Sequence, residues 1–480
     1  MHLLVIGLAL AVVVHDFHAA SAEGFVVELP GWALGVMAVL PEALGLMLMW
    51  RLTSGTTRRL GQPSGRRWLM WHSRARVFWP TVLLGLFGLK LWLGVLATLR
   101  HTIGDWVLLD ELIVMSPTLL AVGLGWAAVY PVERRLRDAE ILRRLDSGLP
   151  IYPIWTRRQY VSAQFRFQVA VILMPLLLLM AWGESVVFMQ LYGWMGETVA
   201  AWSAPIGAAV ILLLSPPLLA LVWDTAELPA GEVRDRLEAM CERHGVRVRR
   251  LLLWRTHGGM INAAVVGFIP PLRYVLLSDA LLEQVEPREI EAVMAHELAH
   301  VKHRHPVWLL GAAVVMLAGA QVLLGAGLVR AGYDTTSGNA FTLVLVLSIA
   351  LWLAGFGWVS RRFERQADTF AARHMSEVLE VSPGGLDAAD AASPRGDGPG
   401  RFTTQGVSAM AGALQRVADL NHIRPTRWEW RHGSIAQRQR NLRALEGRPA
   451  KGPLVDRLVG WIKVATAVGF AAVIVWAATG

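Results

Sequence analysis

The stretch EAVMAHELAHVKHRHPVWLL, Glu291 to Leu310, places four histidines within ten residues and runs straight into an apolar segment. Three of its residues, His296, Glu297 and His300, form the pattern H-E-x-x-H. On a helix, residues four apart share a face one turn apart, so both imidazoles can reach one ion. Glu297, beside the first histidine, can then reach a water on that ion rather than the ion itself. Zinc brings the pKa of such a water near neutrality, and a carboxylate can take its proton and pass it to a leaving amine. Without a metal the same residues would be a helix of solvated or interfacial histidines.

A catalytic zinc needs a third protein ligand and an open position. A histidine six residues past the second would supply one, but that position is Pro306. The stretch SRRFERQADTFAAR offers carboxylates instead. Glu364 and Asp368 are four apart and so lie on one helical face. Glu364 is the candidate ligand, and Asp368 the candidate acceptor that orients a ligating imidazole, a partner such sites usually require. His303 shares the face of His296 two turns along and is expected at the interface or behind the ligands. His305 is expected at the interface.

What must position these residues is a membrane protein. Of 480 residues, 54% are hydrophobic and 17% charged, and Trp occurs 21 times, a residue that favours the membrane–water interface. Nine apolar segments are candidate spans: Met1–Val14, Pro30–Trp50, Val77–Leu99, Val107–Tyr130, Gln168–Tyr192, Ala200–Trp223, Pro306–Val329, Ala340–Val359 and Val459–Ala478. Most reach the ~20 residues that cross a bilayer. The first is short and is followed by AASA, so a signal peptide competes with a span there; no basic n-region precedes it. The formal charge of +9 sorts by loop rather than marking nucleic acid. Arg51–Arg76 holds seven Arg and no acid, and Pro131–Phe167 holds eight Arg. Positive loops stay in the cytoplasm, and nine spans put both on one side, together with 224–305 and 360–457. Asp110, Glu111 and Glu184 lie in or near spans, where acids are more often interfacial than functional. The single cysteine, Cys241, excludes a disulfide framework and any multi-cysteine metal cluster.

A water-soluble segment begins near Asp224. ELPAGEVRDRLEAMCERHG reads as a helix ending at Gly245. Strands are expected over Val246–Trp254, Ala263–Phe268 and Arg273–Ser278, with turns at HGG and IPP. Pro287 opens the helix that carries H-E-x-x-H. The two following spans, at 1.5 Å per residue, are ~36 Å and ~30 Å long and form a hairpin that returns the chain to the surface it left. That hairpin brings Glu364 back to His296 and His300. The division expected is a membrane region at 1–223, a catalytic domain in two parts at 224–305 and 360–456, a hairpin at 306–359 and a last span at 457–480. Residues 376–401, rich in Gly, Pro, Ala and Asp, read as a flexible insertion.

HELAH, the hairpin and SRRFERQAD together resemble the M48 membrane metallopeptidases, the group of HtpX-type proteases and of CaaX prenyl proteases of the Ste24 type. The resemblance covers roughly Gly231–Leu445. NAAVVG from Asn262 is similar to the family's strand before the zinc helix, where N-A-F-A is more usual. HGSIAQRQRNL from His432 resembles its late H-P-S…R…L motif, with Gly433 in place of the proline. His305, five after the second ligand, matches Ste24-type members, whereas HtpX-like members carry Asp there; the feature alone does not separate the two. The resemblance implies one zinc ion per chain on His296, His300 and Glu364, with Glu297 as general base. It implies that His432 or Arg438 stabilises an oxyanion. It also places Asn262 and the strand after it where their edge could bond an extended substrate, against the alternative of an ordinary turn.

The expected architecture is mainly α: a polytopic membrane protein with about nine transmembrane helices and a small α+β, zincin-like catalytic domain at the cytoplasmic face. The expected function is a zinc endopeptidase in a bacterial inner membrane, cutting membrane or unfolded proteins, with quality control as the first reading. Its partners would be a protein or peptide substrate and the lipid bilayer, without nucleic acid; the oligomeric state is left open. An M56-like sensor-transducer would need a large outer domain, yet only Gly332–Asn339 lies outside between the zinc helix and the last span. A non-catalytic metal-binding scaffold would need a fourth ligand rather than Glu297.

Overall fold

The structure, a computed structural model, describes residues 2–21, 30–146, 148, 151–152, 154–333, 338–381 and 400–479. It divides into two compact units, Met1–Trp223 and Asp224–Gly480.

The first unit is helical: α1 (His2–Ser21), α2 (Gly31–Arg59), α3 (Gly65–Trp92), α4 (Val95–Ile103), α5 (Leu109–Asp146), α6 (Arg157–Phe165), α7 (Val171–Leu191) and α8 (Glu197–Val222), with a π-helical turn at Arg166–Ala170 between α6 and α7. Leu8, Leu83, Phe87, Met115 and Val122 are among the residues of its core. Charges inside this apolar unit are paired, as burial in a low-dielectric medium requires. Lys90 Nζ donates to Glu42 Oε1 at 2.5 Å, and Thr118 Oγ1 donates to the same oxygen at 2.7 Å. Asp110 and Glu111, in the first turn of α5, are buried in the protein, and both accept from Arg100. Glu184 accepts from the backbone N–H of Leu108.

The nine expected spans become seven among the described residues, or eight if a bent pair counts as one. That pair is α3 and α4, bent by 56° within the expected span Val77–Leu99. Gly94 at the bend has φ +79°, a conformation that glycine adopts without steric cost. The first expected span falls on α1, whose apolar run stops at His15 and Asp16, short of a bilayer crossing.

The second unit contains β1 (Thr225–Glu227), α9 (Glu232–Arg243), β2 (Arg250–Trp254), β3 (Ala263–Val266), β4 (Tyr274–Ser278), α10 (Asp279–Gln284), α11 (Pro287–Lys302), α12 (His305–Arg330), α13 (Gly338–Val381), α14 (Thr404–Leu420), α15 (Ile435–Arg443) and α16 (Leu454–Thr479). The sheet order is β1-β2-β4-β3, with β2 and β4 parallel and both outer pairs antiparallel. Three of these strands fall within the expected ranges. The sequence reading did not include β1, which is three residues long and follows directly on a span. Pro287 stands at the first position of α11, and Thr403 and Ser434 cap α14 and α15 through their hydroxyl oxygens. Of the insertion expected at 376–401, residues 376–381 continue α13; residues 382–399 lie outside the described residues.

The α11 face made by Ile290, Met294 and Leu298 packs into a core with Val275 and Leu277 of the sheet, Ala371 and Met375 of α13, and Val407 and Met410 of α14. α14 approaches α13 closely: a Cβ on Gly406 would lie 2.2 Å from Ser376 Oγ. A polar chain also ties α9 to α11 through α13. His244 Nε2 is 3.0 Å from His374 Nδ1, and His374 Nε2 is 3.1 Å from Glu291 Oε1.

Two outcomes follow from this packing. Leu277 is fully buried in β4, so Leu277→Ala should cost about 2–5 kcal/mol in denaturant unfolding, while Leu323→Ala, on a side chain 75% exposed, should leave the midpoint nearly unmoved. Burial pushes the pKa of His244 down to about 2, with the charges of His374, Lys302 and Arg243 adding to the effect. The unfolded chain takes up that proton near pH 6.5. The contribution of neutral His244 is therefore complete above pH 6.5 and lost as pH falls below it. Tm should drop between pH 7 and 4, and His244→Phe, which keeps the ring against Phe370, should flatten the drop. An unaltered slope would rule His244 out as its source.

Candidate metal centre

His296, Glu297 and His300 project from α11, and Glu364 and Asp368 from α13. The two helices share a packed seam in which Ala299 of α11 meets Ala367 and Phe370 of α13, the two alanines letting the helices come close. His296 Nε2 lies 3.4 Å from Glu364 Oε2, and His300 Nε2 lies 3.6 Å from Glu364 Oε1. The two Nε2 atoms are 3.2 Å apart. One ligand atom from each of His296, His300 and Glu364 thus falls within 4.8 Å of the others.

Each imidazole is held by its other nitrogen. His296 Nδ1 is 3.0 Å from Asp368 Oδ1. Arg438 of α15 grips the same carboxylate at two points, Nε to Oδ2 at 2.9 Å and Nη2 to Oδ1 at 2.6 Å. His300 Nδ1 is 2.9 Å from His305 Nδ1. The donor set fits a zinc ion: two imidazole nitrogens and a carboxylate converge, and Glu364 Oε2 is buried without a hydrogen-bond partner. The ligands to such an ion would be His296, His300 and Glu364.

Burial opposes charge on His296, but the carboxylates of Asp368 and Glu364 beside it outweigh burial and push its pKa up to about 10. Burial pulls His300 down to about 3, and the charge on His296 adds to that. Without an ion, His296 is thus the ring of the pair that favours the charged form, and a divalent ion would displace its extra proton. Burial raises the Glu297 carboxyl against the pull of His296, which makes it a stronger proton acceptor. Burial also works against charge on Arg438, and Asp368 overcomes it.

A cavity of about 1000 Å³ opens on this centre and is lined by Asn262, Val265, Glu297, His432, Leu309 and Phe356 among others. His432 reaches the ligand group, its Nδ1 3.0 Å from Glu364 Oε1, with the side chain 43% exposed. Arg438 lies behind Asp368 and also within 3.7 Å of Glu364. Asn262 precedes β3, the open edge of the sheet, and its carbonyl accepts from Ser278 N at 3.0 Å. Gly433, where the family pattern has Pro, has φ +75° and donates its N–H to Glu429 O at 2.8 Å. Proline could adopt neither feature.

One placement adds to expectation. His305, expected at the interface, is fully buried in the protein, beneath His300. Its Nε2 meets Gln366 Oε1 at 2.8 Å, and Gln366 Nε2 donates to Asp456 at 2.7 Å. His303 ends α11 and stacks on His305, ring centroids 5.6 Å apart. The sequence reading passed over Gln366 and Asp456. Gln366 sits between Glu364 and Asp368 in ERQAD, where the spacing alone points it off their face.

Residues 227–382 match the model of Peptidase family M48. The chain is 29% identical over 207 residues to a "Protease HtpX homolog" of Aeropyrum pernix, covering 41% of this chain and 64% of that protein. It is 32% identical over 180 residues to a "CAAX prenyl protease 1 homolog" of Arabidopsis thaliana, covering 34% of this chain and 42% of the other. A "Protease HtpX homolog" of Moorella thermoacetica is 32% identical over 134 residues, 27% of this chain and 44% of its own length. Each match spans less than two thirds of the relative's length. Among solved structures, Ste24p of S. mikatae aligns with a TM-score of 0.45 at 13% identity, covering 85% of this chain and 98% of its own. The segment that holds H-E-x-x-H and Glu364 is the part of the chain that matches the model of peptidase family M48.

Proposed function

We propose that the chain is an integral-membrane, zinc-dependent endopeptidase. The observation that carries this reading is the convergence of His296 Nε2, His300 Nε2 and the Glu364 carboxylate beside Glu297, in a cavity bordered by an open strand. Residues 224–305 and 360–456 form its catalytic domain, interrupted by the hairpin 306–359. A cytoplasmic catalytic face is supported by the Arg-rich segments 51–76 and 131–167, since positive loops stay in the cytoplasm. Its substrates are unfolded or membrane proteins, and its work is quality control in a bacterial inner membrane.

A bound zinc ion supplies Lewis acidity and an activated water. The chain's own residues do the rest. Asn262 and Ser278 form a bonded pair in the β3–β4 ladder. The alternation of an antiparallel ladder then turns the N–H and C=O of Ala263 and Val265 outward. These groups hold an extended substrate as an added strand. Glu297 takes the proton of the attacking water and returns it to the leaving amine. His432, at the cavity side of Glu364, donates to the developing oxyanion. Arg438 fixes Asp368, and through it His296.

With the detergent-purified enzyme and an unfolded protein substrate, Glu297→Gln should lower kcat by about 10²–10⁴-fold with zinc content unchanged. Equal cleavage by both proteins would remove Glu297 as the base. On the strand, Val265→Pro removes an outward N–H and should raise KM about fivefold, the worth of one hydrogen bond, with the fold intact. Ala264→Pro instead removes a ladder bond to β4 and should lower Tm. If the two prolines behave alike, substrate does not bind on this edge.

A further inference from the structure

We propose that His305, itself oriented by Gln366 and Asp456, is the residue that fixes the tautomer of His300 and aims His300 Nε2 at the metal. The inference rests on the proposed zinc site and assigns a role to three residues outside it.

The direction of every proton in the chain follows from its far end. An Asp456 carboxylate only accepts, so the Gln366 amide must turn its NH₂ toward it at 2.7 Å. Gln366 Oε1 is then left to face His305 Nε2 at 2.8 Å, and it too only accepts. His305 therefore carries its hydrogen on Nε2 and has a bare Nδ1. That lone pair lies 2.9 Å from His300 Nδ1 and takes its hydrogen. His300 is left with a lone pair on Nε2, the atom that points at Glu364. A free histidine would divide its hydrogen between the two nitrogens; this one has no such choice.

The backbone is bent to make the contact. Residues five apart on one continuous helix point ~140° apart and do not meet. Here α11 ends at Lys302, Arg304 adopts φ +53°, and α12 restarts at His305. The break folds the His305 ring back under His300. Phe363 stacks on that ring at 4.5 Å and 14°, and His303 lies near parallel to it at 18°. Two elements of α16 hold the arrangement: Asp456 at its start, and Lys463, whose Nζ donates to His303 O at 2.8 Å. His305 is not itself a ligand in this geometry. It sits on the Nδ1 side of the His300 ring, away from the converging Nε2 atoms.

The test is zinc affinity of the full-length protein in detergent, read by competition with a chromogenic chelator, together with the visible spectrum of the cobalt-loaded form. His305→Asn places an amide oxygen where Nδ1 was and loses the stack. His305→Phe keeps the stack and loses the acceptor. Loss of an orienting partner typically weakens metal binding about 10–100-fold. We expect that loss in His305→Phe, a shifted cobalt spectrum with it, and near-native affinity in His305→Asn. A purely packing role predicts the reverse order. Gln366→Met, which leaves His305 in place but frees its tautomer, should also weaken binding. Native affinity in both His305→Phe and Gln366→Met overturns the proposal, as does equal loss in Phe and Asn variants. If the wild type binds zinc but cuts no protein, the peptidase reading fails and the relay is still decided by these affinities. If the wild type binds no zinc, both fall.

Discussion

Asp368 and Arg438 meet in a two-point ion pair that water barely reaches, and the candidate centre hangs from it. The Asp368 side chain is 4% exposed and that of Arg438 12%. Taking a carboxylate and a guanidinium out of water costs several kcal/mol per ion, and only close, bidentate geometry offsets it. Once formed, the pair cannot be half removed without leaving a buried charge. It joins α13 to α15, and Asp368 adds α11 through His296 Nδ1. Three helices that carry the candidate functional residues are thus locked by one carboxylate. The register of α11 on α13, and with it the meeting of His296 and Glu364, depends on that lock.

The two imidazoles are steadied by different chemistry. His296 rests on a full negative charge that is itself matched by a guanidinium. His300 rests on a neutral ring, backed by a neutral amide. The arrangement leaves Glu364 as the negative ligand to an ion and keeps a second uncompensated carboxylate away from Glu297. A site with a carboxylate behind each histidine would place more negative charge beside the base.

Much of this centre was legible in the sequence because it obeys local rules. His296 and His300, and Glu364 and Asp368, are pairs at helical spacing, and spacing alone puts each pair on one face. The return of the chain through a hairpin then brings the faces together. What was not legible depends on contacts between distant segments or on single backbone angles. Nothing near His305 says that Arg304 turns left-handed, nor that Asp456, ninety residues beyond Gln366, closes the chain of bonds. The resemblance of HGSIAQRQRNL to a family motif pointed to His432 and Arg438, but the partner of Arg438 fixes what it touches. In the fold, hydropathy marked the apolar segments and could not see the bend at Gly94, and β1 is too short to leave a periodic trace.

α13 is a single helix of 44 residues, ~66 Å long by helix geometry, and no break separates its apolar stretch from Glu364 and Asp368. It acts as a lever. A span adjusts to bilayer thickness by tilting, and a tilt of α13 carries Glu364 with it. On the other side of the metal the chain is jointed, since the left-handed Arg304 separates α12 from α11, so a tilt of α12 need not disturb His296 or His300. Glu364 thus continues the apolar stretch of α13 without a joint, while His296 and His300 stand across a joint from α12 and meet α13 through the packed seam and Asp368.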